Sequence, residues 1–148
     1  MLIDVLEALA ANIQTAADAD TDVEYLQAVA LRNFNPTPPS IDIYPGDPSR
    51  DSFDTAGFTE IGGELDITVR ARVTTADNAA GQLLLLRFMD DEDDLCIAGI
   101  LQDDQTLGGL VSSVYVDGFT GFQLHDGAAD GGPLMGAAWH VRVLRVIT

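Results

Sequence analysis

The chain has 148 residues, 47% of them hydrophobic and 21% charged, which is enough apolar material for one ordinary domain and excludes wholesale disorder. Its 24 acidic residues against 7 basic ones give a net charge of −17. That excludes a tight grip on a phosphate backbone, whose affinity comes from neutralised phosphates and released counterions.

Leu2, Val5, Leu6, Leu9 and Ile13 recur at helical spacing, so residues 2–17 read as an amphipathic helix. Asp4 and Glu7 lie in its first turns, where the helix dipole favours a negative charge. With no positive residue there, the segment is not expected to be a signal peptide. The acidic stretch at 18–22 ends the helix, and residues 23–31 are a candidate strand. Pro36, Pro38 and Pro39 make 33–39 an extended connector. Ile41 and Ile43 around Asp42 give a short strand at 40–44. The segment 45–58 reads as a long exposed loop, with Asp47, Asp51 and Asp54 and with Phe53 and Phe58, which need somewhere to pack.

Residues 64–74 carry the clearest strand signal. Leu65, Ile67, Val69, Ala71 and Val73 alternate with Glu64, Asp66, Thr68, Arg70, Arg72 and Thr74. One face is expected to be buried and the other wet and charged, as in antiparallel sheets. Asp77 is placed to cap a helix running to Met89, in which Gly81 costs about 1 kcal/mol relative to Ala. Within that helix, residues 83–86 are expected to face the core nearly all round. The acidic run 90–94 interrupts, and a second helix is expected over 94–101 with Leu95, Ala98 and Leu101 inward. Thr106-Leu107-Gly108-Gly109 reads as a turn, 110–116 as a strand, and Asp117-Gly118 and 126–133 as turns. Trp139, Val141 and Val143 mark a final strand ending near Ile147. The expected architecture is α+β: one domain spanning 1–148, with a mainly antiparallel or mixed sheet and amphipathic helices packed on one face.

Chemistry-bearing constellations are sparse. All seven basic residues are arginines, which suits bidentate pairing with carboxylates, and no lysine is present to complete a phosphate loop. Cys96 is the single cysteine, so no internal disulfide forms and a reducing interior is the simpler home. It sits in an apolar run, as an inert core cysteine does. His125 and His140 stand in no metal-ligand spacing, and no serine lies in a nucleophile elbow. The five carboxylates at 90–94 invite a calcium reading, but EF-hand spacing is absent. No catalysis, metal or cofactor is expected.

The succession of features resembles one family. A helix precedes a proline-rich segment ending in Pro39-Ser40-Ile41-Asp42-Ile43-Tyr44-Pro45, and a long alternating strand follows. Asp77-Asn78-Ala79-Ala80-Gly81-Gln82-Leu83-Leu84 then opens a helix, an acidic break leads into 95–101, and Thr106-Leu107-Gly108-Gly109-Leu110-Val111 leads to the closing strands. Over nearly its whole length the chain resembles the tail-terminator (tail completion) proteins of long-tailed bacteriophages. The resemblance implies a non-catalytic virion protein that forms a ring, usually of six copies, on the head-proximal end of the tail tube. The ring would stop tube polymerisation and join the tube to the head–tail connector protein, after assembly in the host cytoplasm. Its partners would be itself, the tube protein and the connector, with no membrane involved. DNA would cross the bore without specific binding, and a net charge of −17 suits such a passage. Candidate subunit or tube contacts are Arg50, Phe53, Phe58, Glu64, Asp66, Arg70 and Arg72. The alternatives are another neck or tail component (a connector stopper or a tube subunit) or a calcium-binding module.

Overall fold

The computed structural model describes residues 2–23, 25–34, 36–46, 58–59, 62–74, 78–125 and 134–146. Helix α1 (Leu2–Asp18) forms where the helical spacing predicts it, and buries Val5, Leu6, Leu9, Ala10, Ile13 and Ala17 along one stripe. Strand β1 (Gln27–Ala30) is shorter than the expected 23–31. Tyr25 and Leu31, just outside its ends, take left-handed φ values of 65° and 75°, which break the extended conformation on both sides.

Strand β2 (Ser40–Pro45) runs parallel to β1 and antiparallel to β4 (Gly62–Val73). The two-residue β3 (Phe58–Thr59) pairs with the start of β4. Helices α2 (Asn78–Met89) and α3 (Ile97–Asp103) follow, then a short 3-10 turn (Leu107–Gly109), and finally the long hairpin strands β5 (Ser113–His125) and β6 (Leu134–Val146). The sheet order is β1-β2-β4-β6-β5, so β1 and β5 are its two edges. The architecture is α+β with a mixed sheet, as the sequence predicts.

The alternation in β4 decides how the layers meet. Leu65, Ile67, Val69, Ala71 and Val73 are buried, and their partners on β6 are Val143, Val141, Trp139, Ala137 and Met135. This face joins the buried residues of α1, α2 and α3, such as Leu9, Leu85, Phe88, Ile97 and Leu101, in one hydrophobic cluster. Burying a Leu- or Phe-sized side chain contributes roughly 1.5–3 kcal/mol, so the cluster dominates the stability of the domain.

Three local expectations need correction. Within α2 only Leu85 of the 83–86 run is fully buried, while Leu83 and Leu86 are exposed, because a helix lying on a sheet buries one stripe only. Helix α3 starts at Ile97 rather than 94. Asp93 accepts the Leu95 amide at 2.9 Å and Asp90 accepts the Glu92 amide at 3.0 Å, so these carboxylates hold turns in place of a helical start. Asp117-Gly118 is not a turn: β5 continues through it with an irregularity between Val116 and Gly118. Among the described residues no helix is long and apolar enough to cross a membrane.

Candidate functional site

The face of the sheet turned away from the helices carries polar side chains, and antiparallel register brings them together. Asp42 lies directly opposite Arg70, and Ser40 opposite Arg72. The Asp42 carboxylate accepts hydrogen bonds from Arg70 Nε at 3.0 Å, Arg70 Nη2 at 2.6 Å and Arg72 Nη2 at 3.3 Å. The Asn33 amide donates to it at 2.9 Å, and Arg72 Nη2 also donates to the Asn33 carbonyl at 2.7 Å. Asp42 is 0% exposed, Arg70 5% and Arg72 1%. The expectation of a wet face therefore fails here: the segment around Asn33 bonds to this end of the strand, and Arg70 and Arg72 serve the interior of the fold. Burial pulls the Arg72 guanidinium below its usual value, against the pull of Asp42.

A second cluster lies farther along the same face and is half-exposed. His140 sits between two carboxylates, with Nε2 3.0 Å from Asp66 and Nδ1 2.5 Å from Asp117. Arg142 pairs with Glu64 and reaches Asp117 at 3.5 Å. Both ring nitrogens of His140 thus face carboxylates, which ties β4, β6 and β5 together. On the helix side, Arg87 bridges Asp20 and Asp93, which holds both carboxyls below their ordinary range. Among the described residues no group of three His, Cys, Asp or Glu side chains is arranged to hold a metal ion.

The expected contact residues divide accordingly. Glu64, Asp66, Arg70 and Arg72 share one face, but only Glu64 and Asp66 retain appreciable exposure. Arg50 and Phe53, with the loop segment 47–57, lie outside the described residues. Phe58 is placed only by its backbone, opposite Gly63 in the β3–β4 ladder.

The two sheet edges differ in how they are finished. At β1, Gln14 of α1 mimics a neighbouring peptide: its Oε1 accepts the Ala28 amide at 2.8 Å and its Nε2 donates to the Leu26 carbonyl at 3.0 Å. At the first half of β5, Gln102 of α3 plays a similar part and accepts the Val116 amide at 3.1 Å. Beyond the irregularity at Val116/Gly118, no side chain among the described residues is bonded to the outer edge of β5. That distal half, residues 118–124, contains no charged residue and exposes Phe119, Phe122 and Leu124. Phe119 keeps a tilted ring contact with the buried Trp139, at 5.4 Å between centroids.

Exposed apolar residues also flank the two ends of β1. Tyr25 is 83% exposed, Phe34 82% and Leu31 55%. Left-handed φ at Tyr25 and Leu31 costs on the order of 1–3 kcal/mol each. At the far end of β1 from Tyr25, Arg32 holds its guanidinium 5.9 Å from the Phe34 ring centre and 5.0 Å from that of Tyr44. Burial pushes the Tyr44 phenol above its usual range, against the influence of Arg70. Comparison with known proteins finds no family model that matches the chain and no curated protein that matches it.

Proposed function

We propose that this protein is a non-catalytic structural subunit that assembles with copies of itself, and that its setting is the one the family resemblance implies: a terminator ring on the head-proximal end of a phage tail tube. The observation that carries the assembly half of this reading is the distal half of β5. A charge-free sheet edge that no side chain among the described residues caps, with three exposed large apolar residues, is what a protein–protein contact requires and what a solitary soluble domain avoids. Copies carrying −17 repel one another, so their contacts have to form where charge is absent. The same acidity suits a bore that DNA crosses without sticking. His140 and its two flanking carboxylates are engaged with each other.

The terminator half is tested on tails. Virions assembled without this protein are expected to show tubes that overrun their normal length and lack heads, as seen by negative-stain electron microscopy. Headless tails of normal length would point instead to a connector-side component. Normal tails joined to heads would overturn the role altogether. Deleting residues 47–57 tests the loop: a folded variant that yields overlong tails assigns it a tube contact, and tails of normal length remove it.

A further inference from the structure

Histidine is the side chain that ordinarily changes its charge between about pH 5 and 8. His140 stands where that change has a structural consequence. Its Nε2 lies 3.0 Å from Asp66 on β4, and its Nδ1 lies 2.5 Å from Asp117 on β5. An ionised carboxylate only accepts, so both contacts are hydrogen bonds only when both ring nitrogens carry a proton. The neutral ring has a single N–H. Its other nitrogen then turns a lone pair toward a carboxylate oxygen at hydrogen-bond distance, and that contact has to open.

Strand β5 is shaped around this ring. It carries an extra residue at the irregularity between Val116 and Gly118, and that residue is Asp117. A bulge of this kind re-aims a side chain, here toward an imidazole on the neighbouring strand. Gly118 is the cross-strand partner of His140. A Cβ there would stand 3.2 Å from the His140 Cβ, so the glycine lets β5 come close to the ring. Among the described residues, the other charges beside it are Glu64 on β4 and Arg142 on β6. Arg142 pairs with Glu64, and its Nε lies 3.5 Å from Asp117 and 3.9 Å from Asp66. Tyr115 on β5 faces Arg142, with its ring centre 5.9 Å from the guanidinium. Tyr44 shares the cross-strand row of His140 but stands two strands away, beyond Thr68. One guanidinium therefore serves three carboxylates, and only the His140 ring lies directly between two of them.

The two contacts differ in how easily they open. Asp66 belongs to β4, which is paired on both sides, with β2 and with β6. Asp117 belongs to the edge strand β5, at a point where the ladder is already interrupted. We infer that when His140 loses its proton, across the range in which histidine titrates, Asp117 is released and residues 118–124 loosen. The distal edge of β5 is then held at the acid side of that range and freed at the alkaline side. The switch lies within one chain; its consequence for assembly rests on the reading of that edge proposed above.

Hydrogen exchange of the full chain, followed by mass spectrometry at about pH 5.5 and pH 8, brackets the histidine range. The protein is diluted until sedimentation shows monomer at both pH values, and rates are corrected for the intrinsic pH dependence of exchange. Protection over 118–124 is expected to be roughly tenfold lower at the higher pH, the weight of one charge-assisted hydrogen bond, while 64–73 stays unchanged. In Asp117→Asn the response disappears, because the side-chain amide donates to an unprotonated Nδ1. It disappears in His140→Gln as well. That variant keeps His125, so a response that persists in it belongs to His125 and overturns the inference. Equal protection at both pH values in the unaltered chain overturns it without any variant, and so does a loss confined to 64–73. Sedimentation at higher concentration separates the two readings. A chain that assembles while its edge ignores pH keeps the assembly reading and sinks the switch. A chain that responds in exchange but never assembles supports the switch and removes the assembly reading.

Discussion

Two halves of one sheet face solve the same problem, placing charge on a strand, in opposite ways. At one end Asp42, Arg70 and Arg72 are sealed in and bonded to each other and to the backbone at Asn33. At the other end Glu64, Asp66, Asp117, His140 and Arg142 remain half-exposed and meet in a looser array. The residue types are the same, yet their energetic weight is not. A charge without water depends wholly on its partners, while a charge that keeps water loses little when a partner goes. The buried set therefore belongs to folding, and only the exposed set remains at the surface.

The largest expected effect comes from breaking the buried set from its centre. Asp42→Ala leaves two sealed guanidinium groups without their shared carboxylate and should cost about 3–5 kcal/mol in chemical denaturation. A loss below about 1 kcal/mol would show that water reaches this end of the sheet after all. Replacing all three residues together (Asp42→Val, Arg70→Leu, Arg72→Met) should recover most of that loss, since a well-packed apolar set needs no compensation for desolvated charge.

Across the divide, Arg142→Met should cost at most about 1 kcal/mol, because its pair with Glu64 is half-exposed and keeps contact with water. Salt sharpens the contrast. A double-mutant cycle on Arg142 and Glu64 should give a coupling that falls as NaCl is raised from roughly 0.05 to 0.5 M, the range over which screening takes hold. The coupling of Asp42 with Arg70 should hardly change. Equal salt sensitivity at both ends would erase the distinction.

The smallest effect lies on the helix side, where Arg87 lowers both Asp20 and Asp93. A carboxyl depressed in the folded state contributes stability above its unfolded value, near pH 4, and loses it as pH falls through the folded value. The difference in Tm between the unaltered chain and Arg87→Met should therefore stay constant from about pH 7 to 5 and shrink below about pH 4. A difference that grows on acidification would contradict the sign.

Much of this fold was legible because period alone carries it. The 3.6-residue stripe of α1 and the two-residue alternation of β4 depend on nothing beyond the chain itself. Misreadings fell where a partner decides the outcome. Asp117-Gly118 has turn chemistry, but pairing with β6 keeps it in the strand, and that error split Phe119, Phe122 and Leu124 from the edge they form. Gly81 reads as a weak spot in a helix. A Cβ there would stand 2.5 Å from the Thr74 carbonyl oxygen, so glycine is what lets α2 approach the end of β4. Arg70 and Arg72 were expected to be solvated, yet a signal for their burial was present. Asp42 sits between two isoleucines in a neighbouring strand, and arginines two residues apart point to the same side of a strand. The exposure of Tyr25 and Phe34 left no trace in periodicity, because it follows from how the chain bends around β1.

The central claim is that this acidic domain exists to assemble, through surfaces that its charge leaves free. Sedimentation velocity of the unaltered chain over a hundredfold concentration range, at low and at physiological salt, tests it most directly. The account predicts one closed species of fixed mass in equilibrium with monomer, favoured by added salt because screening relieves the repulsion between copies of charge −17. A monomer at every concentration and ionic strength would contradict it.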